Sequence, residues 1–535
     1  MHPRNPYRKP LDFPALAAAY PPLHAYLFSL QNRPTIDFSD ADAQICLTKA
    51  LLHRDFGLDV QLSPDRLCPP VRGFSQNWSQ WGALAALNYI LWIQDIIAAT
   101  QDEKDAPILG IDIGTGASAI YPLLGCAANG RWAFVATELD PLSLRLAREN
   151  IARNGFGESF HHHPPSRIEV LEARADGQLL LPLAAYPDRA FAFSMCNPPF
   201  YASAEEIAAC AAGKAEPAVG ARRAKGVGKA RAKPGSRQST PGSRQSTPGP
   251  TAAELPTALA GAPVEMVTQG GEVAFVARMV AESVQYGTRC RWYTSMLGKL
   301  SSVAEVIDNY AVTEFVQGQT RRWAVGWSFT ATRLPDSLAR ISSQALQSVL
   351  PPRNEMSQPL PSPTQPGTSW RIRVGTVVRQ ICEALPGVIV REDSATPTFT
   401  IQATANTWSR AARRKAQREG GGVAVSEADG HAKPALTVTV DWTLHAATAP
   451  SALTDVMDWE GYDEAMGDAA AEYAEEPKAR RRSLDTTMDV DPSPTPQAGA
   501  ACPILRIRWV QGRDRALFET FWSHLSRKVV SMLDI

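Results

Sequence analysis

The stretch LGIDIGTGAS, residues 109–118, constrains the fold more than any other part of this 535-residue chain. An apolar strand runs into Gly114 and Gly116, where a backbone without Cβ can turn sharply and lie close to a ligand. The helix expected from about residue 117 aims its unsatisfied N–H groups at the same spot. Strand and helix patterns then alternate. WAFVATEL reads as a strand, and RIEVLEA and AFAFSMC as two more. Between them DPLSLRLARENIARNG reads as a helix, with Asp140 as cap, Pro141 in the first turn and Gly155 as stop. Such alternation implies an α/β fold, a parallel sheet covered by helices. Twenty-two residues past Gly116, Glu138 ends the second strand. A carboxylate there can accept both ribose hydroxyls of a nucleoside. Gly110, Gly114, Gly116 and Glu138 thus mark a nucleotide site, with a dinucleotide and S-adenosylmethionine both open as ligand.

The stretch SMCNPPFYAS, residues 194–203, decides between them. The prolines end the strand, because they supply no donor and fix the chain. Its carboxyl end is expected beside the ligand crevice of an open α/β sheet. Asn197 offers a side-chain carbonyl and Pro198 a backbone carbonyl. Together they can accept both N–H bonds of an adenine amino group and orient its nitrogen toward a methylsulfonium. Phe200 can stack on the base. Such a reaction needs positioning and charge placement, with neither metal nor covalent nucleophile.

Global charge is uninformative, with 54 basic and 54 acidic residues, so any footprint for a polyanion is local. Eight cysteines without a CxxC pair argue against a zinc site or a disulfide framework, and for a reducing, intracellular setting. His161, His162 and His163 lack a second ligand cluster and read as surface loop. The opening MHPRNPYRKPLDF is polar and basic, without the apolar core of a signal peptide. Residues 82–99 are long and apolar enough for a membrane span but carry Asn88, Gln94 and Asp95, so they read as a buried helix.

Helical runs are expected at FPALAAAYPPLHAYLFSL and DADAQICLTKALLHRDFG. Residues 201–268 are rich in Ala, Gly, Pro and Arg, with PGSRQST twice in tandem, and read as a flexible basic loop. CRWYTSML and RRWAVGWSFTAT read as strands. A Pro/Ser/Gln-rich linker is expected over 334–368, then a smaller C-terminal α+β domain over 369–535, interrupted by a disordered insert at 446–500. WSRAARRKAQR places Arg410, Arg413, Arg414 and Lys415 on a helix suited to RNA phosphates. KARRRS, residues 478–483, is a nuclear-import candidate.

Together GIDIGTGASAIYPLLG, TELD, CNPPF, RCRWYTSMLGK and GQTRRWAVGWSF resemble the U6 small nuclear RNA adenine-N(6) methyltransferases (the methyltransferase-like-sixteen family). The resemblance covers about residues 1–330. It implies a Rossmann-like class I methyltransferase domain over 1–333, S-adenosylmethionine as methyl donor, and structured RNA, U6 in particular, as partner; the expected location is the nucleus, with the cytoplasm also open. It places Gly110, Asp112, Gly114, Thr115 and Gly116 in the cofactor loop and Glu138 on the ribose. Asn197, Pro198, Pro199 and Phe200 match the catalytic tetrapeptide. Arg4, Arg8, Lys9 and Arg322 match RNA-contacting positions, and Tyr121 a packing position. The family's arginine before LNYI is missing here, where Ala86 and Leu87 stand; Arg72 is the candidate replacement. Gln319 and Ser39 depart from basic residues of some members. Two other readings stay open: a protein glutamine methyltransferase, which also uses Asn-Pro-Pro, and a catalytically weak RNA-binding protein on the same fold.

Overall fold

The structure is a computed structural model. It describes residues 2–533 except 39, 64–65, 67–84, 102–105, 158–165, 200, 204, 207–266, 299–308, 318–319, 344–345, 362–367, 394–395, 419–433 and 446–501. The chain divides into two units, Met1–Pro352 and Arg353–Ile535.

The first unit opens with α1 (Phe13–Ala19), the hairpin β1 (Phe28–Leu30) and β2 (Arg33–Thr35), α2 (Ala41–Phe56) and α3 (Ala85–Thr100). The first expected helical run is shorter than the pattern suggests. Pro21 and Pro22 have no N–H with which to continue α1, so the chain tightens into a 3-10 segment, Pro21–Tyr26, and then extends. Helix α3 is the apolar stretch read as buried: Leu87, Ile90, Ile93 and Ile96 are at most 2% exposed. Among the described residues no helix is long and apolar enough to cross a membrane. Its Asn88 oxygen, Gln94 and Asp95 have partners, while Asn88 Nδ2 is buried without one. The N-terminal segment docks on them, with the His2 N–H and Asn5 Nδ2 both donating to Asn88 Oδ1 at 2.9 Å. His2 also pairs with Asp95.

The sheet follows in the order β3 (Ile108–Ile113), α4 (Ile120–Ala128), β4 (Trp132–Glu138), α5 (Pro141–Arg153), β5 (Ile168–Glu172), α6 (Leu181–Ala185), β6 (Phe191–Cys196), α7 (Gly271–Tyr286), β7 (Cys290–Leu297), β8 (Tyr310–Gln317), β9 (Thr320–Trp327) and α8 (Asp336–Ala339). The seven strands lie in the order β5-β4-β3-β6-β7-β9-β8. The first five are parallel, and β9 is antiparallel to both neighbours. Strand β8 was not among the strands expected. Both sheet faces are covered, as a parallel sheet requires. Leu51, Ile93, Leu123 and Ile151 pack with Phe193 and Met195 on one face. Leu183 and Met279 pack with Ile111, Ile113 and Val135 on the other.

The second unit is a five-stranded antiparallel sheet in the order β10-β14-β13-β12-β11. Its elements are β10 (Glu355–Pro359), α9 (Thr368–Glu383), β11 (Val388–Glu392), β12 (Thr398–Ala403), α10 (Arg410–Arg418), β13 (Leu436–His445), β14 (Cys502–Gly512) and α11 (Arg515–Leu533). Val374, Val378, Phe521 and Leu525 of the two long helices share a core with Phe399, Val440 and Ile507 of the sheet. His445 and Cys502 face each other across β13 and β14, so the chain leaves and re-enters this hairpin at one place. The insert expected at 446–500 lies outside the described residues.

The linker expected at 334–368 is corrected. Leu334, Ala339, Leu346 and Leu350 are buried in the first unit, and β10 is paired to β14 in the second. The boundary falls at Pro352 rather than along a spacer. The Pro/Ser/Gln composition concealed apolar residues placed where each unit needs them.

Candidate active site

Strand register assembles the site. Ile113 at the end of β3 is level with Thr137 of β4 and with Cys196 of β6. The next position on each strand therefore falls on one rung: Gly114 and Asn197 just past the ends of β3 and β6, and Glu138 as the last residue of β4, still paired with Glu172 of β5. In sequence order the chain lays β4 and β5 on one side of β3, then returns to lay β6 on the other. The gap between β3 and β6 is the topological switch point, where open α/β sheets bind ligands beyond the strand ends. Neighbouring strands stand about 4.8 Å apart, so the rung from Glu138 to Asn197 spans roughly 10 Å.

At the acidic end, Gly114 and Gly116 have φ of +68° and +67°, a region costly for other residues, and a Cβ on Gly114 would meet nothing within 4 Å. The turn lets the Gly116 N–H reach Glu138 Oε2 at 2.7 Å. Glu138 Oε1 accepts the N–H groups of Leu139 and Asp140 at 2.8 and 2.9 Å. The carboxylate is thus aimed by three backbone donors. Burial still raises its pKa above the ordinary value, with those three bonds pulling it down. Arg66 Nη2 reaches Asp140 Oδ2 at 3.4 Å beside it.

Asp112 is 1% exposed at the end of β3. Neither of its carboxylate oxygens has a hydrogen-bond partner, and neither does Thr115 Oγ1. Burial pushes Asp112 up to about 7; the neighbouring Thr115 hydroxyl, near it but outside hydrogen-bond geometry, draws it partly down, and Glu138 adds to the rise. These orphaned acceptors, the open left-handed turn and the aimed Glu138 fit S-adenosylmethionine, which brings ribose hydroxyls and positive charge.

At the other end, β6 stops at Cys196 and Asn197 follows. Asn197 Oδ1 is buried without a hydrogen-bond partner. Pro198 is buried and Pro199 half-buried. Behind them stands a group that the sequence reading did not assign to the chemistry. Tyr89 of α3 places its hydroxyl 2.6 Å from Thr294 Oγ1 and 3.4 Å from the Cys196 nitrogen. The motifs LNYI and YTSML flagged this region, but no local signal joins residues 205 positions apart.

Not every expected site residue joins the site. Gly110 is corrected: it lies inside β3, and a Cβ there would fall 2.4 Å from Phe193 Cζ. Its role is to admit that ring, which packs on Trp132 at 4.7 Å between centroids. Arg72, Phe200, Gln319, Ser39 and His161–His163 lie outside the described residues, as does most of the 201–268 loop. The described ends of that loop meet where Tyr201 bridges to Val267. Arg4 is held by α3, through Gln94 Oε1 and the Leu91 carbonyl at 3.1 Å each and through Asp95. Arg8 and Lys9 are exposed nearby in sequence. Arg322 is half-buried on β9 opposite Phe315. Tyr121 is a packing residue, 4% exposed and edge-on to Tyr89. Arg410, Arg413 and Arg414 are exposed on α10 of the second unit. Among the described residues no cluster of metal-ligating side chains occurs.

A family described as RNA methyltransferase matches residues 1–331. The RNA N(6)-adenosine-methyltransferase mettl16 of Danio rerio is 32% identical over 442 residues, covering 78% of this chain and 79% of that protein. The U6 small nuclear RNA (adenine-(43)-N(6))-methyltransferase of Schizosaccharomyces pombe is 31% identical over 420 residues, covering 75% of this chain and 87% of that protein. The crystal structure of the hMettl16 catalytic domain in complex with the MAT2A 3'UTR hairpin 1 is 34% identical, covering 62% of this chain and 95% of that one, with a TM-score of 0.45.

Proposed function

Because this chain belongs to the RNA methyltransferase family, we propose that it transfers a methyl group from S-adenosylmethionine to the N6 amino group of an adenine in structured RNA, with U6 small nuclear RNA as substrate. The observation that carries this reading is the shared rung of Glu138, Gly114 and Asn197 at the switch point. A nucleoside-binding acid and an amine-binding amide stand on either side of one tight turn. Relatives named for adenine-N6 methylation of RNA, and of U6 in particular, support the choice of substrate.

The cofactor supplies an electrophilic methyl group on a positively charged sulfur. The remaining work falls to the chain. Glu138 would hold the ribose hydroxyls, already aimed by its three backbone donors. Asp112, buried at the end of β3, would give up its proton as the cofactor binds and then answer the positive charge. Asn197 Oδ1 would accept one N–H of the adenine amine and the Pro198 carbonyl the other. Fixing both hydrogens turns the nitrogen and concentrates charge on it as the bond forms. An amide oxygen holds this proton without keeping it, so the proton passes to water once the nitrogen has become cationic. Phe200 would stack on the base.

The second unit would hold RNA through α10. Arg413 lies close enough to His524 that it, Lys528 and Arg527 add to the burial that lowers the histidine's pKa. A cluster of like charges with this effect suits a phosphate backbone. On the same reading, with the basic run KARRRS as import candidate, the protein works in the nucleus.

The test is incubation with labelled S-adenosylmethionine and total RNA, followed by identification of the labelled species and base. Label in N6-methyladenosine of U6 is the expected result. Label confined to glutamine in protein, or no transfer at all, overturns the proposal.

A further inference from the structure

We propose that Tyr89 and Thr294 are positioning residues for the methyl-transfer step, holding the end of β6 with a chain of hydroxyls so that Asn197 leaves the sheet at the correct angle. The inference rests on the functional reading above and adds to it two residues far from the Asn-Pro-Pro segment in sequence.

The pairing of β6 differs on its two sides. Against β3 its register runs to its last residue, Ile113 with Cys196. Against β7 the register ends two residues earlier, at Ser194 with Tyr293. Backbone groups of Ser194 and Cys196 point to the same side, because orientation alternates along a strand. Both find side-chain partners. Thr294 Oγ1 donates to the Ser194 carbonyl at 2.8 Å. The Cys196 N–H donates to the Tyr89 hydroxyl at 3.4 Å. Thr294 has one hydroxyl hydrogen, and the carbonyl takes it. The 2.6 Å contact between the two hydroxyls is then fixed in direction, from the Tyr89 O–H to Thr294 Oγ1.

The result is a loop of three ordered bonds that starts on the β6 backbone at Cys196 and returns to it at Ser194. It lies next to Asn197, on the side away from the cofactor loop. Neither hydroxyl meets bulk water, since Tyr89 and Thr294 are both 0% exposed. Burial keeps the phenol protonated by raising its pKa well above the ordinary value. The Tyr89 ring cannot swing away. Tyr121 meets it edge-on at 5.9 Å, Phe315 is tilted against it at 6.1 Å and Trp92 lies nearly parallel at 6.2 Å. The carbonyl that must accept from the substrate amine is thus attached to a strand end pinned from both sides.

Three variants test this, each measured for kcat, for KM of RNA and cofactor, and for amide hydrogen exchange over residues 194–197. Tyr89→Phe and Thr294→Val are each expected to lower kcat about ten-fold while both KM values stay within about two-fold. Exchange over 194–197 is expected to rise about ten-fold in both. Thr294→Ser keeps the hydroxyl and is expected to restore both readouts. The Tyr89→Phe, Thr294→Val double variant should be no worse than either single one, because the chain acts as a unit. Wild-type kcat in the single variants, or exchange unchanged over 194–197, overturns the inference. So does failure of Thr294→Ser to rescue. A wild-type protein that methylates no RNA counts against the functional reading alone. Hydrogen exchange then still decides whether the hydroxyl chain holds the strand end.

Discussion

The Asp112 carboxyl and the Asn197 side-chain oxygen are buried in this site without hydrogen-bond partners, and each makes a separate prediction. Burial raises Asp112 to about 7, so the folded protein holds a proton there that the unfolded chain has released. Stability is therefore expected to fall as pH rises from about 4 to 7, by up to about 1.4 kcal/mol per pH unit from this group. Glu138 is raised as well and acts in the same direction. Asp112→Asn should flatten the curve of melting temperature against pH between about 5 and 7; an unchanged slope would show that Asp112 is ionised in the folded protein. Asn197→Ala removes the amine acceptor. It should lower kcat at least 100-fold, about 3 kcal/mol of transition-state stabilisation, with RNA affinity within two-fold. Loss of RNA binding together with activity would instead make Asn197 a structural residue.

Two glycines of one strand and turn should behave differently. At Gly110 a methyl group would strike the Phe193 ring between two buried strands. Gly110→Ala should therefore cost about 1–3 kcal/mol of stability by overpacking. Gly114→Ala strikes nothing, but its φ of +68° would strain alanine by about 1–2 kcal/mol. Its larger effect should be on the KM for S-adenosylmethionine. Thermal melts and cofactor titration separate the two: equal shifts in both measurements would mean that Gly110 also shapes the loop. From sequence alone both glycines read as one signal. Only the packing of β6 on β3 shows that the first serves Phe193, 83 residues later.

At the level of the whole chain, the useful cut follows the two units rather than the composition. Residues 1–352 carry the rung and both faces of its sheet. Truncation after Pro352 should leave kcat within about three-fold and weaken RNA affinity about ten-fold or more. It should also flatten the dependence of binding on salt, since basic residues of α10 are lost. Unchanged RNA affinity would count against the second unit as an RNA module. A cut at 369 would serve less well. It would leave β10 without the β14 strand it pairs with, exposing an unpaired edge.

The sequence by itself determined the alternating strands and helices, the left-handed turn at Gly114 and Gly116, the acid at Glu138 and the strand stop at Asn197. Each depends on neighbours within one element: apolar period, a missing Cβ, a proline without a donor. Even there it overextended the first helical run, although Pro21 and Pro22 were in plain view. The tertiary structure alone decided what depends on pairing at a distance. It placed Glu138, Gly114 and Asn197 on one rung through strand register. It drew β10 to β14 from across some 150 residues, and it brought Tyr89 to Thr294. Long-range contacts such as these are set by which buried faces and unpaired backbone groups must satisfy one another. No window of a single chain records that requirement.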